Sequence, residues 1–393
     1  MKTLKIGVIL LALLLSAMTM VPMVSAQSVQ LPSENVRLIE GNYITDNTAL
    51  SNAQAALTQF RNNGLLGKEF TGAIVNPQPT TIYDVNGEKL FYSFSIENKK
   101  IRIGEVKIAA SKVLGASLIS IGPGARPINQ TELMGKAKEF LTKRGVSANL
   151  SSARLVVYNY PMIGLMIDAS GSGTGTTYVL DAYDYSEVPV SNQISWYNSL
   201  ASSALTSGIT KWNIDARTLN KTMNGAVSPM TTVSKTLSGF TLCPQQGTNW
   251  CPFATAQMIS QWYGYYPTQQ QIAQTVGVNP DNGATATDML NGYYLKSVAS
   301  GGLGKGGSYN LPGSPSNLYT LVKIEIDHNR PLVINIQSSN YHARACAGYS
   351  QDTVTLNDYF YIYDPWPVGS GALTWEYWRG NSMNYTSSIF VKN

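Results

Sequence analysis

The sequence predicts an α+β fold in two parts: an α+β region over residues 27–190, and a domain over residues 239–393 that opens on a helix and continues in strand-like runs. Three observations predict it. In the first part, segments of helical period are followed by runs that alternate apolar and polar residues. From Glu187 to Ser238 that order dissolves into a stretch rich in Ser, Thr and Asn, where a domain boundary belongs. Beyond it, a helix opening at Cys251 precedes a second series of strand-like runs. A chain of 393 residues suits two or three folded units.

The extreme N-terminus reads as a signal peptide spanning residues 1–26. Lys2 and Lys5 supply a positive start, Ile6 to Leu15 an apolar run, and Val24-Ser25-Ala26 the small residues before a cleavage point. The run is short for a hydrocarbon core of ~30 Å, so removal is expected rather than a membrane span. Sequons at Asn129, Asn149, Asn220 and Asn384 are compatible with export to the outside or the cell surface. Charged residues make up only 13%, and the net charge of +5 is spread without a Lys/Arg block, which argues against a nucleic-acid partner.

Within 27–190, Asp46 to Asn63 reads as a helix with Leu50, Ala53, Ala56, Leu57 and Phe60 on one face. Thr80 to Val85 and Lys89 to Ile96 alternate around Asn86-Gly87, a type I′ hairpin signal. Ile101 to Ala109 adds a third strand. Thr131 is placed to cap a helix to Arg144, followed by strands at Arg154–Tyr158, Gly164–Ala169 and Thr176–Ala182. Helix plus three strands occurs twice, which suggests two similar units. Residues 191–238 read as a linker with one short helix near Trp196–Leu205.

Two residue counts bound the chemistry of the second part. His328 and His342 are the only histidines, so a multi-histidine zinc site is excluded and no metal or other cofactor is expected. Three cysteines, Cys243, Cys251 and Cys346, leave an odd thiol in an exported chain. Cys251 is the candidate for it: Pro252 suits the first helical position, which puts Cys251 at the N-cap, where the helix dipole and free N–H groups favour a thiolate. A buried, inert cysteine at a helix start is the plain alternative. His328, in Asp327-His328-Asn329-Arg330-Pro331, sits where a helix from Ser316 ends, and a histidine there serves free carbonyls. Gly301 to Gly307 lacks the Gly-Lys-Ser/Thr ending of a phosphate loop and reads as a loop beside the cleft.

The segment from Cys243 through Gln245-Gln246-Gly247 to Trp250-Cys251, the run His342-Ala343-Arg344-Ala345-Cys346-Ala347-Gly348-Tyr349, and Asp364-Pro365-Trp366 together resemble the papain-like cysteine peptidases. Among them, the chain is similar to compact bacteriocin-processing (double-glycine leader) peptidases and staphopain-like enzymes. The resemblance covers Leu242 to Val391 and implies a papain-like domain with its nucleophile helix packed on an antiparallel β-sheet. It implies a nucleophile at Cys251, a base at His342, an orienting carboxylate at Asp364 and a shielding indole at Trp366. It also implies an oxyanion donor at Gln245 or Gln246, between which the spacing does not choose. Cys243 and Cys346 become candidates for a disulfide, because the two segments lie close in that family. Residues 27–190 become an inhibitory pro-region, cut off between Ser191 and Ser238, and the substrates become proteins or peptides. Pro252 departs from the aromatic common after the nucleophile. The same triad could serve a non-peptide amide or acyl transfer, and an inactive secreted binding protein is the alternative outside enzymes.

Overall fold

A computed structural model describes residues 31–169, 176–223, 232–310, 315–336, 341–352, 357–378 and 385–392. The predicted signal peptide and the sequon at Asn384 lie outside the described residues. After helix α1 (Ser33–Glu40), the Thr45 side chain accepts from the Thr48 N–H and starts α2 (Asp46–Asn62), which buries Ala53, Ala56, Leu57 and Phe60. This is the apolar face expected from the sequence. Strands β1 (Ile74–Val75), β2 (Thr80–Asp84), β3 (Lys89–Asn98), β4 (Ile101–Ala109) and β5 (Leu118–Ala125) follow.

The hairpin between β2 and β3 differs in its turn. The Asp84 N–H donates to Glu88 O and only Gly87, not Asn86, has positive φ. The Asn86 side chain explains this by accepting from the Glu88 N–H at 2.9 Å, an Asx turn that competes with the I′ form. Lys99 and Lys100 instead take φ values of 52° and 67°, the double positive φ of a type I′ turn, between β3 and β4.

The second unit has α3 (Gln130–Lys143), β6 (Arg154–Asn159), β7 (Met162–Asp168) and β8 (Thr177–Asp181). Asn129, rather than Thr131, caps α3, its side chain accepting from the Glu132 N–H at 3.2 Å. Both units are a helix followed by an antiparallel meander, with β5 an addition to the first. The parallel pairing of β2 with β6 joins them.

Residues 191–238 are more ordered than a linker. They contain α4 (Trp196–Ser199) and a 22-residue helix, α5 (Ser202–Met223), which packs against α2. Leu205, Trp212 and Ala216 are buried along it, and Asp215 Oδ2 accepts from the Ser117 N–H at 2.6 Å. The many Ser, Thr and Asn residues lie between these anchors and hide the helical period. Strand β9 (Thr232–Thr236) then enters the C-terminal part.

There the elements are α6 (Cys251–Trp262), α7 (Gln269–Val276), α8 (Ala286–Met289), β10 (Gly306–Asn310), α9 (Pro315–Asp327), β11 (Leu332–Ile336), β12 (His342–Asp352), β13 (Asp358–Asp364), β14 (Ala372–Tyr377) and β15 (Tyr385–Lys392). None of the helices among the described residues is long and apolar enough to cross a membrane. Helix α6 buries Phe253, Ala254, Met258 and Ile259 and packs on β12, whose first nine residues are all buried.

One mixed sheet carries both parts, in the order β10-β15-β11-β12-β13-β14-β5-β4-β3-β2-β6-β7-β8. The join is the antiparallel pair β14–β5, with Trp375 opposite Ile121 and Glu376 opposite Ser120. A shared core seals it: Phe60 meets Tyr359 edge-on at 5.2 Å, and the Trp375 Nε1–H donates to Leu65 O at 2.8 Å. The fold is α+β, as the sequence predicts.

Candidate active site

Helix α6 begins one residue earlier than the sequence suggests. Trp250 is the N-cap, Cys251 the first helical residue and Pro252 the second, where its missing N–H costs nothing. Cys251 therefore stands in the first turn, 6% exposed, with its thiol 3.9 Å from the carbonyl of Tyr341. Tyr341 is exposed and has positive φ, and the chain then enters β12 with His342 turned inward.

His342 is buried between two partners. Its Nε2 lies 2.7 Å from Asp364 Oδ1, at the end of β13, and the ring also hydrogen-bonds Cys251. With Nε2 committed to the carboxylate, Nδ1 is left for the thiol. Burial alone would pull the imidazole down from 6.5, but the charges of Asp364 and then Cys251 outweigh it and push His342 up to about 10. Asp364 Oδ1 also accepts from the Trp366 N–H at 2.9 Å, so the carboxylate is fixed in direction. The Trp366 ring is 4% exposed and lines the same cavity as Cys251 and His342.

The two glutamines are placed differently from what an oxyanion donor needs. Gln245 is buried, and its Nε2 donates to Gly247 O at 2.7 Å and Thr248 O at 2.8 Å. Its main chain is tied to the turn after Asp364: the Gln245 N–H donates to Pro365 O and Gln245 O accepts from the Gly369 N–H, both at 3.0 Å. Gln245 thus shapes the loop before Cys251 and has no side-chain N–H to spare. Gln246 is exposed, and neither glutamine lines the cavity. The backbone N–H of Cys251, in the first turn of α6, is the donor this geometry leaves beside the thiol.

All three thiols are free, so the Cys243–Cys346 pairing is absent. Each has its own partner instead, Cys243 donating to Gln261 Oε1 and Cys346 to Gly348 O, both at 3.4 Å. Burial raises both, Cys346 to about 12, which keeps them as inert thiols. His328 is exposed with Nδ1 2.8 Å from Ile324 O, the role expected at the end of a helix. Among the described residues no group of three or more His, Cys, Asp or Glu side chains could hold a metal ion.

Behind the carboxylate lies a pair that the sequence reading missed. Arg344, fully buried, reaches both oxygens of Glu376 at 2.9 and 2.8 Å and stands 3.7 Å from Asp364 Oδ2. The hydroxyl of Tyr160, from the N-terminal part, hydrogen-bonds Glu376. The signal was present: an arginine inside a strand of small residues, and a glutamate inside Leu373-Thr374-Trp375-Glu376-Tyr377, each demand a buried partner.

A cavity of about 540 Å³ opens at Cys251 and His342. Thr248, Asn249, Asp288 and Tyr341 line it from the C-terminal part, and Tyr158, Asn159, Met162, Glu187 and Val188 from the N-terminal part. A thiol and a buried imidazole at one cavity, with a fixed carboxylate behind the imidazole, can carry nucleophilic attack on an acyl carbon.

Residues 237–387 match the model of the Peptidase_C39 like family. The match bears out the resemblance of the C-terminal part to papain-like cysteine peptidases and spans Cys251, His342 and Asp364. No curated protein matches the chain. Among solved structures, a putative C39-like peptidase from Bacillus anthracis is 14% identical, with a TM-score of 0.30, covering 41% of this chain and 98% of its own. A fragment of prointerpain A from Prevotella intermedia is 11% identical, with a TM-score of 0.32, covering 80% of this chain and 99% of its own.

Proposed function

We propose that the chain is a secreted cysteine endopeptidase, made as an inactive precursor, that hydrolyses protein or peptide substrates through Cys251, His342 and Asp364. The observation that carries this reading is the hydrogen-bonded series Cys251–His342–Asp364, whose first two members line the cavity. In the proposed reaction the Cys251 thiolate attacks the scissile carbonyl carbon, and the negative charge moves to the carbonyl oxygen beside the α6 N-terminus. The protonated His342 gives its proton to the departing amine, leaving a thioacyl-enzyme. Water then attacks that thioester, His342 takes a proton from it, and the acid product leaves. Asp364 holds the imidazole by Nε2 throughout and stabilises its charged form.

Secretion rests on the signal-like residues 1–26. The precursor role of residues 27–190 rests on the place of this region beside the site, where Glu187, Val188 and Pro189 line the cavity together with Cys251. Activation would then be a cut between Ser191 and Ser238. The test is expression of the chain and its Cys251→Ala variant, with labelling by a thiol-directed electrophile and assay on a peptide library. Labelling at Cys251 with hydrolysis lost in the variant is expected. A wild type that neither labels there nor hydrolyses any peptide, before or after cutting, would overturn the reading.

A further inference from the structure

We propose that the N-terminal part is retained after the activating cut and works as one wall of the substrate cleft, with Asn159 as a substrate-positioning residue. This rests on the peptidase reading above and holds that the cut frees only the cavity-lining stretch next to it, Glu187 to Asn192, while the sheet-bound remainder stays in place.

Retention follows from how the two parts are joined. Strand β5 is hydrogen-bonded along β14, so removing the N-terminal part would strip a neighbour from the sheet next to β13, which ends in Asp364. It would also expose Trp375, Tyr359 and Tyr377, which now share a core with Phe60, Tyr92, Ile121 and Trp212. The polar joints are equally internal. Asn357 Nδ2 donates to Asp215 Oδ1 at 2.6 Å, and the Tyr160 hydroxyl meets Glu376, the partner of Arg344. Loss of Tyr160 would leave the ion cluster behind Asp364 open to solvent on that side. A cut between Ser191 and Ser238 that falls outside α5 breaks none of these contacts, because they are held by residues 31–181 and by an intact α5 rather than by chain continuity.

A working wall follows from the cavity. The N-terminal part borders it without filling it, and leaves about 540 Å³ beside the thiol. Asn159, the last residue of β6, lines it while only 2% exposed. Its side-chain oxygen is shielded from water and lacks any hydrogen-bond partner among the described residues. An amide oxygen left unpaired just beneath the cavity surface becomes an acceptor for an N–H of the bound peptide once a turn of its side chain brings it to that surface.

Retention is tested without catalysis. The full-length Cys251→Ala chain is cut once between the parts by a site-specific protease and run on a native sizing column. One species of uncut size that separates into two bands only under denaturing conditions is expected. Two native species would overturn retention. For the wall, wild type and Asn159→Ala are compared after cutting, together with Asn159→Ser as a milder change, each with its melting temperature. The expected result is a KM raised roughly five- to tenfold in Asn159→Ala with kcat within about twofold, the loss of one hydrogen bond to the ligand. Unchanged KM in both folded variants would overturn the positioning role. If the wild type hydrolysed nothing, the peptidase reading would fall, and the sizing column would still decide retention.

Discussion

Arg344 grips both carboxylate oxygens of Glu376 and, through the same Nη1, stands 3.7 Å from Oδ2 of Asp364. The two residues sit on β12 and β14, on either side of β13, and no solvent reaches the guanidinium. A buried pair of this kind contributes little by existing but costs much when halved. Glu376→Ala should therefore destabilise the chain by roughly 3–5 kcal/mol, because the guanidinium is left facing Asp364 alone. Urea unfolding of the full chain measures it, and an unchanged midpoint would mean the pair is not what holds this face.

In the proposed reaction the state of His342 would set the alkaline limit. With the imidazole pushed up to about 10, proton donation to the leaving amine persists below that value and is lost as pH rises through it. Asp364→Asn removes the largest charge that raises His342, so the alkaline limb of kcat should move down toward the ordinary histidine range. A pH–rate profile on both proteins reads this directly. Identical limbs would separate Asp364 from His342.

The glutamines divide into one that shapes the loop and one that faces solvent. Gln245→Ala leaves the Gly247 and Thr248 carbonyls without their donor and should cost about 1–3 kcal/mol of stability. Gln246→Ala should fall within about 0.5 kcal/mol of wild type. Thermal melting of both variants checks the contrast, and equal losses would contradict the placement of Gln245.

How much of this was legible depended on the range of the interaction. Cys251, His342, Asp364 and Trp366 could be read because each lies in a short run with its own local grammar: a helix start, a strand start and a strand end. Helix α2 and strand β4 could be read from period alone. Strand β5 was missed, and so was its pairing with β14, which joins segments some 250 residues apart through contacts that leave no local pattern. The long helix α5 was hidden because Ser and Thr surround its anchors. Yet Leu205, Ile209, Trp212 and Ala216 keep spacings of four, three and four along it. The type I′ signal at Asn86-Gly87 failed because the asparagine side chain had a closer use in its own turn.

The joint between the parts carries a pH dependence of its own. Burial raises Asp215, which lies against Ser117 and Asn357, to about 7, and raises Asp84 and Asp181 each to about 6. A carboxyl whose folded value lies above its unfolded 3.8 binds its proton more tightly when folded. Its contribution is fully present below 3.8 and is lost as pH rises through 6 to 7. Stability of the full chain should therefore fall over that window, and the slope should flatten in Asp215→Asn. Urea midpoints at a series of pH values test it, and parallel slopes for the two proteins would contradict it.

At the centre of the proposed reaction, Cys251 is the nucleophile and His342 its only proton partner. Its most direct measurement is hydrolysis of a peptide substrate by the cut chain, alongside electrophile labelling mapped to residue, for wild type, Cys251→Ala and His342→Ala. A label on Cys251 and a fall of roughly 10²–10⁴-fold in kcat for His342→Ala are expected. A label on Cys243 in place of Cys251, or a His342→Ala protein as fast as wild type, would contradict it.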